Sequence, residues 1–174
     1  MTITDIAAKI RNIPDFPKPG ILFKDITPLL ADAEALAATT AHLSLPFAGQ
    51  RIDAVVGMES RGFLLGPAIA MKLSAGFVPV RKPGKLPYKT LSATYELEYG
   101  TDSIEIHEDA IFKGANIVIH DDVVATGGTA LAATELVQRL GGKIVGYSFI
   151  IELSFLDGAS KLTSIAPVHS LIKV

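Results

Sequence analysis

Two adjacent carboxylates, Asp121 and Asp122, stand two residues ahead of the run Ala125-Thr-Gly-Gly-Thr129. The second stretch suits a phosphate. If a helix begins there, the amides of Ala125, Thr126, Gly127, Gly128 and Thr129 lie unpaired at the positive end of its dipole, and the two glycines allow close backbone approach. The hydroxyls of Thr126 and Thr129 add donors. The carboxylate pair suits a different group: in an apolar setting one of the two must protonate unless donors or a cation satisfy it. Neighbouring hydroxyls of a sugar, with a magnesium ion nearby, would do so. Together the two stretches imply a ribose phosphate ligand.

The flanking elements must position these groups. Ile117-Val-Ile119 reads as a buried strand, and the apolar spacing of Ala130, Ala133, Val137 and Leu140 predicts a helix from Gly128 or Thr129, so residues 120–127 form a strand-to-helix turn. A Gly-Gly pair can be only a loop and an Asp pair only a solvated turn. In this order and context, however, they resemble the phosphoribosyl pyrophosphate signature of type I phosphoribosyltransferases. His120 departs from that pattern, which more often has an aliphatic residue there; it reads as a strand-end histidine facing a neighbour. No Gly-x-x-x-x-Gly-Lys-Ser/Thr motif and no strand-borne Gly-x-Gly-x-x-Gly occurs, which argues against a nucleoside-triphosphate hydrolase or a dinucleotide dehydrogenase.

A second strand-turn-helix unit runs from Ile52 through Glu59-Ser-Arg-Gly-Phe63 into a helix over about 64–73. Arg61 is its candidate phosphate ligand, because a guanidinium pairs bidentately with phosphate oxygens; the bland alternative is a Glu59–Arg61 salt bridge. A third strand, residues 77–81, runs into Arg81-Lys-Pro-Gly-Lys-Leu-Pro87. Arg81, Lys82 and Lys85 there are three positive charges with nothing nearby to neutralise them, which points to a polyanion. Residues 93–99 and 103–107 alternate in polarity and predict a hairpin through Gly100. The basic loop and hairpin form an excursion of the kind that closes over ligands.

With 174 residues, 49% of them hydrophobic, the chain can build one substantial core. A net charge of −2 gives no electrostatic reason to expect nucleic acid. No cysteine is present, so disulfides, thiolate metal sites and a cysteine nucleophile are excluded. No signal-peptide pattern or membrane-length apolar run is seen, and a cytoplasmic protein is expected.

Ile3, Ile6, Ile10 and Ile13 predict a short amphipathic helix over the first dozen residues, capped by Thr4 or Asp5. Three prolines and a glycine make residues 14–26 an irregular, apolar lid or cap. Asp32 should cap a helix to about residue 42 or 45, and Gly141-Gly142 should stop the central one. Residues 143–153 read as a strand, 155–162 as a short helix and 168–174 as a terminal strand. The expected fold is α/β, a mostly parallel sheet flanked by helices, with ligands at the carboxyl ends of its strands.

Five motifs now stand in one order: Pro14-Asp-Phe-Pro-Lys-Pro-Gly-Ile-Leu-Phe-Lys-Asp-Ile26, Glu59-Ser-Arg-Gly-Phe63, the Arg81 loop, Tyr95-Glu-Leu-Glu-Tyr-Gly100 and the Asp121 turn. Across nearly the whole chain this is similar to the adenine phosphoribosyltransferase family. The resemblance implies a single type I phosphoribosyltransferase domain over residues 1–174, with residues 1–30 as a cap or hood and 82–100 as a long flexible closing loop. It implies transfer of ribose 5-phosphate from phosphoribosyl pyrophosphate to adenine, giving AMP and pyrophosphate. A magnesium ion carried by the pyrophosphate substrate, with Asp121 and Asp122 nearby, is also implied, as is a homodimer. By resemblance the ribose hydroxyls fall to Asp121 and Asp122, the phosphate to residues 125–129, and pyrophosphate to Ser60, Arg61, Arg81, Lys82 and Lys85. Glu98, with Arg61, is the catalytic candidate, and Tyr99 lies on the closing loop. Adenine falls to Leu22 and Lys24, with Leu153 on its other face; Lys24 is often Arg in the family. The alternatives are a 6-oxopurine acceptor, or a regulator that binds the phosphoribosyl group without chemistry. Against the first, the stretch Tyr147 to Leu153 carries Glu152 and no lysine; against the second stands the intact loop with Glu98.

Overall fold

A capping box opens the chain: the Thr2 hydroxyl accepts from the Asp5 amide, and the Asp5 carboxylate accepts from the Thr2 amide, starting α1 (Ile3–Ala7). The helix is shorter than its isoleucine spacing predicted, and its cap is Thr2 rather than Thr4 or Asp5. Ile13 precedes proline and so favours extended backbone. It lies in β1 (Arg11–Pro14), antiparallel to β2 (Leu22–Asp25) with Ile13 opposite Phe23. The segment expected to be irregular is therefore a hairpin, clamped by Arg11 on the Asp25 carboxylate at 2.7 Å. Its prolines 17 and 19 sit in the connecting loop, where Asp15 takes the Gly20 amide at 2.8 Å. After α2 (Thr27–Ala31), Asp32 caps α3 (Ala33–Ser44) as expected, accepting from the Glu34 and Ala35 amides. The computed structural model describes residues 1–97 and 100–174. It divides into two compact units, Met1–His42 and Leu43–Val174.

The second unit carries the sheet. Its elements are β3 (Ala54–Met58), α4 (Gly62–Lys72), β4 (Gly76–Val80), β5 (Thr90–Glu96), β6 (Thr101–His107), β7 (Asn116–Val124), α5 (Gly128–Arg139), β8 (Lys143–Glu152), α6 (Gly158–Thr163) and β9 (Val168–Lys173). Five strands pair in parallel in the order β4-β3-β7-β8-β9. Parallel strands covered on both faces read as continuous apolar runs, which is why 54–58 and 117–119 were legible as strands. On one face Val56, Met58, Ile117, Ile119, Tyr147 and Phe149 pack against Ala130, Ala133, Leu136 and Val137 of α5. On the other, the Phe77 ring lies between Gly57 of β3 and Gly66 of α4; a β-carbon would come within 2.7 Å of that ring at Gly57 and 2.4 Å at Gly66.

Chain order along the sheet reverses between β3 and β7. This is the switch point of an open parallel sheet, where diverging connections leave a crevice at the strand ends. Pairing of β7 with β3 stops at His120 opposite Gly57, whereas pairing with β8 continues to Val124 opposite Glu152. The central strand thus runs on through both carboxylates, further than its apolar opening indicated. Residues expected to form one helix over 155–162 form a 3₁₀ turn, Ser154–Leu156, and α6, broken by left-handed Asp157.

Strands β5 and β6 form the expected antiparallel hairpin, with Thr94 opposite Ser103. Ala93, Ile104 and Ile106 are buried in the α5-side core, and Arg139 of α5 donates to the Ser92 carbonyl at 2.7 Å. The strands of the hairpin are thus held by the core and by α5. Glu98 and Tyr99 lie outside the described residues.

Candidate active site

The apolar strand β7 carries Asp121 to the sheet's carboxyl edge, and the turn that follows feeds the N-terminus of α5. Left-handed Gly127 (φ 82°) is the residue before that helix, a conformation for which glycine is the natural residue. Asp121, Thr126, Gly127, Gly128 and Thr129 line one cleft of about 350 Å³, with Met58 and Phe149 as apolar walls. Ala125 lines it as well. Tyr95 of the hairpin closes over the turn: a β-carbon on Gly128 would stand 3.4 Å from its ring.

Asp121 accepts its neighbour's amide at 2.9 Å, and Gly62 at the start of α4 comes close enough that a β-carbon would be 3.3 Å from its carboxylate. Burial, then the adjacent Asp122 charge, push the Asp121 carboxyl well above the usual carboxylate range. Asp122 is buried, and burial raises it too, opposed chiefly by Arg61, whose Nε lies 2.9 Å from its Oδ2. Burial thus disfavours the charged form of both carboxyls, and at Asp122 the Arg61 cation opposes it. His120, one residue upstream, is fully buried with Nδ1 2.9 Å from the Ser148 carbonyl on β8.

The neighbouring turns present the cations, outside the walls of the cleft. After β3 comes a cis peptide between Glu59 and Ser60. Arg61 then pairs with Asp122. Glu59 receives Arg81 bidentately, at 3.1 and 3.2 Å, and the Lys82 amide at 2.9 Å. Arg81, first among these partners, holds the Glu59 carboxyl below its ordinary value. Lys82 bonds to Asp102 and to the Tyr95 hydroxyl. The expectation of three cations with nothing nearby is thus corrected for Arg81 and Lys82: their partners lie 22 and 20 residues away in the chain, beyond the reach of local spacing. Lys85 belongs to the same loop, its carbonyl 3.4 Å from Arg81 Nη1.

The base candidates sit on separate elements. Leu22, half exposed, and Lys24, donating to Asn12 at 2.8 Å, lie on β2 of the N-terminal unit. Leu153 follows β8, and its amide donates to the Val124 carbonyl at 3.0 Å. Sequence reasoning missed Met58 and Phe149, because an apolar cleft wall looks like core. It also missed Glu59 as the hub of the basic turn, because its partners Arg81 and Lys82 lie 22 and 23 residues on in the chain.

This fold and its ordered turns define a class: the family model of the phosphoribosyl transferase domain matches residues 23–167. An adenine phosphoribosyltransferase of Myxococcus xanthus is 54% identical, covering 92% of this chain and 87% of the relative. The solved adenine phosphoribosyltransferase of Thermoanaerobacter pseudethanolicus aligns with a TM-score of 0.96 at 53% identity, over 99% of this chain and 100% of its own. That of Saccharomyces cerevisiae, complexed with D-2,5-dideoxy-2,5-imino-altritol 1,6-bisphosphate and adenine, aligns with a TM-score of 0.90 at 46% identity, over 97% of each chain. The chain belongs to the adenine phosphoribosyltransferase family.

Proposed function

We propose that this chain transfers ribose 5-phosphate from phosphoribosyl pyrophosphate to adenine, giving AMP and pyrophosphate, at the strand ends flanking the β3/β7 switch point. The observation that carries this reading is the single cleft joining Asp121 to the glycine-rich start of α5. The 5-phosphate sits on the amides and hydroxyls of residues 125–129. The ribose hydroxyls donate to Asp121 and Asp122, whose carboxyls burial raises, and Arg61 favours the charged form of Asp122.

Cleavage of the bond to pyrophosphate develops positive charge on the sugar and negative charge on the leaving group, so carboxylates on one side and cations on the other both stabilise the transition state. Ser60, Arg81, Lys82 and Lys85 serve the leaving group, with Arg81 and Lys82 exchanging Glu59 and Asp102 for pyrophosphate oxygens. Glu98 is the acid or base for the attacking nitrogen, and closure of residues 82–100, with Tyr99, excludes water. Leu22, Lys24 and Leu153 are the adenine candidates, and the yeast relative solved with adenine supports this choice of base.

The donor set suits Mg²⁺ brought in with the substrate: a hard carboxylate oxygen in the cleft and substrate phosphates are its preferred partners. When bound, the ion neutralises pyrophosphate charge. A homodimer is supported by Leu64, Pro67 and Met71, an exposed apolar stripe at helical spacing on α4, with Met71 81% exposed. Among the described residues no helix is long and apolar enough to cross a membrane, and a cytoplasmic location accords with that.

The test is pyrophosphate release from phosphoribosyl pyrophosphate with adenine or hypoxanthine as acceptor. Adenine should be preferred by at least about a hundredfold in kcat/KM, since a hydrogen-bonding pocket discriminates by up to roughly 10⁴. A ratio near unity overturns the base, and tight binding without turnover favours the regulator. Glu98→Gln should lower kcat about a hundredfold, and Glu96→Gln should leave it near normal; equal effects would make Glu98 one more solvated residue.

A further inference from the structure

The turn that lines the cleft rests on something. Its back is covered by α6, an element with no assigned part in the reaction. Gly158, the first residue of α6, is buried directly beneath the Thr126–Gly127 peptide. A β-carbon on Gly158 would fall 2.1 Å from the Ala125 carbonyl oxygen and 2.6 Å from both the Thr126 carbonyl carbon and the Gly127 nitrogen. The contact is reciprocal, since a β-carbon on Gly127 would be 2.7 Å from the Gly158 carbonyl oxygen. One turn further along α6, Lys161 Nζ donates to the Thr126 carbonyl at 3.0 Å. Face and edge of one peptide are thereby both held.

That peptide is trans, so its N–H points opposite to its carbonyl. With the Thr126 oxygen tethered to Lys161, the Gly127 amide is aimed away from that lysine, and rotation of the peptide plane is opposed by Gly158 below it. Lys161 also leaves its charge about one residue's breadth behind the turn, where it reinforces the field that the α5 N-terminus presents to an anion.

We propose that Gly158 and Lys161 are positioning residues for the phosphate turn, fixing the amide geometry of residues 125–129 that receives the 5-phosphate. This rests on the ribose phosphate reading of the cleft. Gly158 has no positive φ, so alanine meets no backbone penalty there, and helix propensity would favour it. Its effect must therefore come through the displaced turn.

The variants are Gly158→Ala, Lys161→Met and Lys161→Arg, each assayed for kcat and for KM of phosphoribosyl pyrophosphate and adenine separately, with ribose 5-phosphate affinity by calorimetry. Gly158→Ala should raise KM for phosphoribosyl pyrophosphate and weaken ribose 5-phosphate binding by about tenfold or more, the scale of one charge-assisted hydrogen bond, while KM for adenine stays within about twofold. Lys161→Met should do the same to a smaller extent, about threefold, because the lysine is exposed and its bond is screened. Lys161→Arg should restore most of it. Equal shifts in both KM values, or Lys161→Met and Gly158→Ala proteins that bind ribose 5-phosphate as the parent does, overturn the proposal. If Gly158→Ala does not fold, Lys161→Met against Lys161→Arg decides it alone. Failure of the parent itself to bind ribose 5-phosphate would count against the ribose phosphate reading instead, so the two failures are distinct.

Discussion

Asp121 is in an unfavourable place for the protein alone. Its carboxyl is raised by burial and by Asp122, and a carboxyl raised in the folded state costs stability once the pH exceeds its unfolded value, because the native state must surrender a proton it holds more tightly. Asp121→Asn should therefore raise the Tm at pH 7.5, by roughly 2–4 °C for each kcal/mol relieved in a chain of this size, while cutting turnover at least about tenfold. A variant both less stable and fully active would reverse the assignment of this residue to the ligand. His120 gives the opposite pH signature. Burial, only partly opposed by the Ser148 carbonyl, pushes its imidazole down to about 4. Between pH 6.5 and about 4 the unfolded chain takes up a proton that the native chain does not, so stability falls as the pH drops through that window and is unaffected above it. At full extent this amounts to roughly 3 kcal/mol. His120→Leu should remove it: the Tm difference between variant and parent should move in the variant's favour from pH 7.5 to pH 5, and a constant difference would show that the native histidine takes up its proton as the unfolded chain does.

At the scale of elements, the basic loop and the strands β5 and β6 are anchored more than their composition suggested. Apolar Ala93, Ile104 and Ile106 fix the strands to the core, and Lys82, Tyr95 and Asp102 tie the basic loop to both strands of the hairpin. Lys82, first among the causes, holds the Asp102 carboxyl low. The pair is partly exposed, so its worth is at most about 1 kcal/mol. Asp102→Asn should speed limited proteolysis within residues 82–100 of the free protein by up to about fivefold, with bound phosphoribosyl pyrophosphate protecting parent and variant alike. Unchanged cleavage would mean that the apolar contacts alone hold the hairpin. The sequence made the hairpin itself legible through its alternation, and α3 through Asp32. It hid the β1–β2 pair under a density of prolines, two of which occupy the loop while Pro14 closes β1, and although it showed a helix over 155–162 it hid the contact of α6 with the phosphate turn, because a glycine under another segment's peptide leaves no local signal.

For the whole molecule, the parallel sheet was readable because strands buried on both faces are apolar throughout, and the cleft was readable because its polar lining comes from one continuous stretch, residues 121–129. Partnerships between distant residues were not: Arg81 with Glu59, Arg61 with Asp122 and Lys161 with Thr126 follow from strand order, which no local spacing encodes. The adenine preference stated above belongs to this scale too, since its candidate residues are divided between β2 and the end of β8.

The Phe77 ring, seated between Gly57 and Gly66, makes three positions in three elements behave as a single heritable unit. A methyl at either glycine would meet the ring at less than contact distance, so the cost of Gly66→Ala should be contingent on what occupies position 77. Alone it should destabilise by about 1–3 kcal/mol, the usual toll of overpacking. Combined with Phe77→Leu it should cost less than the two changes summed, a coupling that a double-mutant cycle measures directly. Lineages of this fold could then cross from an aromatic to an aliphatic residue at this point only by changing the glycine and the ring in step.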